Sequence, residues 1–92
     1  MNHIDSDNIN AGQTITYNLS FRAGITYKIY VQNALPGVDL DVYVLDGNRK
    51  VLAGDNSIAS DAACTFTPGW SGEYTIAVTC EKGSTSYHLY VG

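Results

Sequence analysis

The sequence predicts an all-β fold, an antiparallel β-sandwich in a single domain. Three observations carry that expectation. Short runs in which apolar and polar residues alternate recur along the chain, the mark of strands with one dry and one wet face. Gly, Pro, Asn and Asp punctuate those runs at short spacing. No apolar repeat of period 3.6 persists over about ten residues, while Tyr and Thr, both good strand formers, are abundant. At 92 residues the chain has room for one core of modest size.

Taken in order, residues 1–12 are polar and rich in Asn and Asp, and read as a lead-in or linker; residues 13–92 read as the domain. In 13–21, Ile15, Tyr17, Leu19 and Phe21 share one face and Thr14, Thr16, Asn18 and Ser20 the other. Arg22-Ala23-Gly24 turns the chain. In 25–31, Ile25, Tyr27, Ile29 and Val31 point inward, and Thr26, Lys28 and Tyr30 outward. A connection containing Pro36-Gly37 leads to the central strand, where Leu40, Val42 and Val44 oppose Asp39, Asp41 and Tyr43. Asp46-Gly47-Asn48 supplies the backbone freedom of a tight turn. Residues 49–53 form a short return strand, expected at an edge because Arg49 and Lys50 discourage further pairing. Residues 54–61 read as a polar loop. Ala62, Cys64 and Phe66 then face inward, Pro68-Gly69-Trp70-Ser71-Gly72 turns, and Tyr74, Ile76, Val78 and Cys80 alternate inward. After a loop around Gly83, Tyr87, Leu89 and Val91 face inward, with His88 and Tyr90 outward. Seven such strands pack best as two sheets, dry face on dry face.

Charge and hydropathy narrow the function. A net charge of −4 argues against nucleic acid, whose phosphates demand a basic patch. No apolar run approaches the ~18 residues of a membrane span, and the polar Met1-Asn2-His3-Ile4-Asp5 is not a signal peptide. Asp5-Ser6-Asp7-Asn8 gathers oxygen-bearing side chains, but Ile9 and Asn10 break the EF-hand order; a solvated tail or a different calcium site remain the readings. Catalysis is poorly supported. Gly69-Trp70-Ser71-Gly72-Glu73 has a displaced final Gly for a nucleophile elbow; His3 reads as part of a mobile tail and His88 as an isolated outward residue on a strand, each a surface residue.

Several stretches carry a family resemblance. Gly37-Val38-Asp39-Leu40-Asp41-Val42-Tyr43-Val44-Leu45-Asp46 resembles the Asp-x-Asp-Leu-x-Leu-Tyr strand of bacterial pre-peptidase C-terminal domains. Phe66-Thr67-Pro68-Gly69-Trp70-Ser71-Gly72-Glu73-Tyr74-Thr75-Ile76-Ala77-Val78 is similar to their strand, arch and Gly-x-Tyr strand. Ser86-Tyr87-His88-Leu89-Tyr90-Val91 resembles their closing strand, and Ala23-Gly24-Ile25-Thr26-Tyr27 their early Ala-Gly turn. The likeness spans residues 13–92 and lies in the order and spacing of short motifs.

The resemblance implies a jelly-roll-like β-sandwich of about seven to eight strands, non-catalytic and appended to a secreted hydrolase, chiefly a protease. It implies a secreted or cell-surface location within a longer precursor, and similarity to the collagen-binding domains of clostridial collagenases, with calcium as the implied ion. By position, Asp39 and Asp41 would be calcium or structural carboxylates, and Asp5, Asp7 and Asn8 lead-in ligands. Asp39 and Asp41, two residues apart on a strand, share a face and could both reach one ion, although calcium asks for six to eight oxygens. In an exported chain Cys64 and Cys80 suggest one disulfide closing a loop of about 15 residues; the alternative is two buried thiols acting as small hydrophobes.

Tyr30, Tyr43 and Tyr90 on outward positions, and Trp70 in a turn, are the candidate binding residues. Exposed aromatics give large contact area at low entropy cost, although cross-strand pairing on a wet face would place them equally well. Three functions are therefore expected in order: an accessory domain that binds an extracellular protein or polysaccharide polymer or aids folding and secretion of its parent hydrolase; a structural spacer; a free-standing subunit or inhibitor.

Overall fold

The computed structural model describes residues 1–35, 37–55 and 61–92. Pro36 and most of the polar loop expected at 54–61 lie outside the described residues. Eight strands are present among those described: β1 (Asn2–Asn10), β2 (Thr14–Phe21), β3 (Tyr27–Asn33), β4 (Asp39–Leu45), β5 (Val51–Asp55), β6 (Ala62–Phe66), β7 (Gly72–Lys82) and β8 (Ser84–Val91). They form two four-stranded sheets, β1-β8-β3-β6 and β2-β7-β4-β5, antiparallel throughout. Only β4 and β5 are a hairpin; every other connection crosses between sheets. That pattern is the jelly roll. Among the described residues no helix is long and apolar enough to cross a membrane.

Alternation builds the core. Ile29 and Val31 of β3 and Tyr87, Leu89 and Val91 of β8 meet Leu40, Val42 and Val44 of β4 and Tyr74, Ile76 and Val78 of β7, all buried. Each such aliphatic side chain contributes about 1.5–3 kcal/mol relative to exposure. On β2, an edge strand, Ile15, Tyr17 and Leu19 are only half-buried, because nothing flanks them on one side. The β4–β5 turn is fixed by Asp46, whose Oδ1 accepts from the backbone N–H of Asn48 (2.8 Å) and Lys50 (2.9 Å). Its left-handed residue is Arg49 (φ 63°). As expected, β5 lies at a sheet edge.

The lead-in differs most from expectation. Residues 2–10 are not a linker but β1, paired along its length with β8. Its register places Asp5 opposite Leu89, Asp7 opposite Tyr87 and Ile9 opposite Thr85, all on the inner face. Two of those three inward positions are Asp, so the alternation that reveals other strands is absent here. Asp5 is accommodated at the open side of the sandwich. Its Oδ2 accepts the Tyr17 hydroxyl at 2.9 Å. Since that phenol has one proton, the Tyr87 hydroxyl 2.5 Å away donates to it in turn. The chain Tyr87–Tyr17–Asp5 ties β8 and β1 of one sheet to β2 of the other. Burial foremost, together with these partners, pushes the Tyr17 phenol well above its ordinary value. Ile25, expected inward, precedes β3 and is exposed.

Candidate functional site

The outer face of the β1-β8-β3-β6 sheet gathers most of the polar and aromatic chemistry. Tyr90 on β8 lies directly opposite Tyr30 on β3. Their rings stack at 6.1 Å with 28° between planes. Tyr90 also lies opposite His3 on β1, whose ring meets it edge-on at 5.4 Å. Beyond Tyr30 comes Ala63 on β6. One row across four strands thus reads His3, Tyr90, Tyr30, Ala63. The neighbouring row places Ser6 opposite His88 and His88 opposite Gln32.

Two devices hold this face. The first is Asp61, just before β6. Its Oδ2 accepts the Tyr30 hydroxyl at 2.7 Å, and its Oδ1 accepts the Asn33 backbone N–H at 2.8 Å. One carboxylate therefore fixes the tip of Tyr30 against the strand that carries it. That hydrogen bond foremost raises the Tyr30 phenol above its ordinary value. The second is a β-bulge between His3 and Asp5, where Ile4 is the extra residue. Residues three apart on a regular strand point to opposite faces. The bulge turns His3 to the face that Ser6 occupies. Ser6 Oγ then lies 2.7 Å from His3 Nε2 and 2.5 Å from His88 Nδ1.

The outer face of the β2-β7-β4-β5 sheet is organised differently. Tyr43 lies between Ala77 on β7 and Gly54 on β5. A Cβ on Gly54 would stand 2.6 Å from Tyr43 Cδ1. The ring therefore lies down over the glycine, and its half-burial is internal packing. Burial first, then the nearby Asp41 charge, raises the Tyr43 phenol. Asp41, outward by alternation, is nonetheless only 4% exposed. It lies opposite Thr79, with Asp39 two residues before it on the same strand. Asp39 Oδ1 and Thr79 Oγ1 are both buried without a hydrogen-bond partner among the described residues.

The remaining candidates separate. Trp70 is half-exposed, stacked on Tyr74 at 4.4 Å, and its ring covers Gly72. The Tyr74 hydroxyl donates to the Trp70 carbonyl at 2.7 Å, so the tryptophan caps one end of the core. Of the four aromatic binding candidates, the structure brings together Tyr30 and Tyr90; Tyr43 lies on the other sheet and Trp70 at a turn. Of the five metal candidates, Asp39 and Asp41 share a face of β4. Asp5, Asp7 and Asn8 belong to β1 in the other sheet, and the structure does not join the two sets.

No disulfide joins Cys64, which is half-buried, to Cys80, which is buried. Cys64 is on β6, which lies across from β4 and β5, whereas Cys80 is on β7. Burial foremost pushes the Cys80 thiol up.

An apolar recess of about 430 Å³ opens between the sheets beside β1 and β2, lined by Ile4, Leu19, Phe21, Tyr27 and Val91. A polar one of about 250 Å³ lies by the β4–β5 turn, between Asn18, Asp46, Arg49 and Thr75.

Sequence reasoning missed Ser6, Asp61 and Gly54, and took His3 as tail. The bulge has no sequence signal of its own. Gly54 does carry one, since a glycine in a strand often marks a close approach. No protein-family model matches the chain, and no curated protein matches it.

Proposed function

We propose that this chain is a non-catalytic accessory module of the pre-peptidase C-terminal type. It would be carried by an exported bacterial protein, a protease or other hydrolase, and hold an extracellular polymer against the outer face of the β1-β8-β3-β6 sheet. The observation that carries this reading is the directly opposed Tyr30–Tyr90 pair. Two phenol rings on central strands, one anchored by Asp61, offer a rigid amphipathic surface for a protein or polysaccharide strand. The order of short motifs along residues 13–92 supports the family. The reading of a purely structural spacer is favoured only at Tyr43 and Trp70, whose rings are spent on Gly54 and on Gly72 and Tyr74.

Calcium belongs to the proposal as a structural ion. The residues that fit it are Asp39 and Asp41 with the Thr79 hydroxyl, all oxygen donors on one face, two of whose buried atoms lack a partner among the described residues. Bound there, a divalent cation would offset the repulsion of two neighbouring carboxylates. Asp5, Asp7 and Asn8 have no part in that site.

Retention on insoluble matrices tests the polymer reading. The chain should be held back by collagen, chitin or another polysaccharide. Tyr30→Ala and Tyr90→Ala should each elute earlier, while Tyr43→Ala elutes like the unaltered chain. Passage through every matrix, or an equal loss in Tyr43→Ala, would sink it.

A further inference from the structure

The two histidines are the only ones in the chain, and they stand 85 positions apart. The fold brings them to one point. Their ring centroids are 5.6 Å apart, tilted by 58°. Both His3 Nε2 and His88 Nδ1 contact the same atom, Ser6 Oγ. Cross-strand register alone would not do this, because His88 lies opposite Ser6 and not opposite His3. The bulge at Ile4 is what swings His3 over, and bulges recur where a strand must re-aim a side chain.

We propose that His3 Nε2, His88 Nδ1 and the Ser6 hydroxyl form a site for a divalent late first-row metal ion of the zinc class. Imidazole suits zinc, copper and nickel, and neutral imidazole nitrogen is the commonest protein ligand for such ions. Zinc–nitrogen bonds run about 2.0–2.1 Å. Two nitrogens already within hydrogen-bond distance of a shared oxygen close to that span by small side-chain rotations.

The proton bookkeeping is simple. A serine hydroxyl has one proton, so with both rings neutral one facing nitrogen accepts it and the other donates its N–H to Oγ. For both nitrogens to offer lone pairs, one ring moves its proton to its far nitrogen. No net proton release is required. Water completes the coordination, because both histidines and Ser6 are exposed and among the described residues no three of His, Cys, Asp and Glu gather as a metal cluster. The site is therefore an open one, weaker than a closed four-ligand structural zinc site. It would clip the edge strand β1 onto β8. It does not depend on the polymer reading: neither histidine is part of the Tyr30–Tyr90 stack.

Zinc titration of the tag-free chain tests the proposal, followed by the imidazole C–H resonances and by amide exchange of β1. Zinc is the probe because it has no redox chemistry and takes imidazole nitrogen as a ligand. The expected result is saturable 1:1 binding at or below about 1 mM, with both imidazoles shifting together and β1 amides slowing. His3→Gln and His88→Gln, surface changes that leave the core untouched, should each weaken binding by at least about tenfold. Tyr30→Ala should bind zinc unchanged. No saturation in that range, shifts at one imidazole only, or undiminished binding in His88→Gln would each overturn it.

Discussion

The two outer faces of the sandwich carry the same residue type to opposite ends. On one sheet a row across the strands reads His3, Tyr90, Tyr30, Ala63. On the other the matching row reads Thr16, Ala77, Tyr43, Gly54. Tyr30 has a ring opposite it and stacks; Tyr43 has small residues on both sides and lies flat. An outward tyrosine is thus a surface for a partner or a cover for the backbone according to what its cross-strand neighbours are. Alternation along one strand decides which face a side chain takes. It says nothing about which neighbours it will find there.

The largest effect that would sharpen this contrast is calcium on the Tyr43 face. If Asp39, Asp41 and Thr79 hold the ion, calcium at a hundredfold excess over its Kd should stabilise the fold by about 2.7 kcal/mol. For a chain of this length that raises Tm by on the order of 10 °C. Chelator should reverse the rise, and Asp39→Asn should abolish it, whereas Asp5→Asn should leave it in place. Scanning calorimetry with and without calcium makes the measurement. An unchanged Tm would leave both carboxylates as structural groups and the first sheet as the sole binding face proposed.

A smaller effect separates the two tyrosine roles directly. Tyr43→Ala uncovers Gly54 and should cost about 2 kcal/mol in urea unfolding, below the 3–5 kcal/mol of a fully buried aromatic. Tyr90→Ala loses two exposed cross-strand ring contacts, to Tyr30 and to His3, and should cost about 1 kcal/mol. Gly54→Ala should itself destabilise by about 1–3 kcal/mol, since the new Cβ would overlap the Tyr43 ring. In the Tyr43→Ala background the same change should cost much less, and that non-additivity is the test of contact. If Tyr90→Ala costs as much as Tyr43→Ala, the distinction between stacked surface and backbone cover fails.

The sequence read well where one face of a strand is apolar. Leu40, Val42 and Val44, or Tyr87, Leu89 and Val91, leave no doubt about strand or side, and all are buried. It read poorly where inward positions are polar. Asp5 faces inward on β1 where the Tyr17 hydroxyl meets it, and Asp7 shares that face but stays exposed at the open sandwich edge; both placements depend on strands far along the chain. Pairing order was likewise hidden, since nearly every connection crosses between sheets and only β4–β5 is local. The site suffered most, as it joins β1, β8, β3 and the residue before β6. His3 with His88, and Tyr30 with Asp61, are long-range meetings set by register and by one bulge.

The smallest effect distinguishes the two faces by the cause of a shared property. Tyr30 and Tyr43 both hold their protons above the ordinary tyrosine value of about 10. For Tyr30 the leading cause is the hydrogen bond to Asp61; for Tyr43 it is burial, followed by the Asp41 charge. A phenol whose folded value is raised favours the folded state fully below its unfolded value, and that contribution is lost as pH rises through the folded value. Stability should therefore fall above about pH 10 on account of both residues. Asp61→Asn removes the charge and the acceptor it offers to Tyr30. It should bring Tyr30 back toward the ordinary value and leave Tyr43 where it is, as followed by phenolate absorbance with Tyr30→Phe and Tyr43→Phe chains to assign each step. The alkaline loss of stability should then begin at the same pH in Asp61→Asn but be shallower, because Tyr30 no longer adds to the resistance to ionisation that Tyr43, Tyr17 and Tyr87 still supply. A Tyr30 titration indifferent to Asp61→Asn would mean that the carboxylate does not hold the ring, and the rigid anchor claimed for the stacked face would be gone.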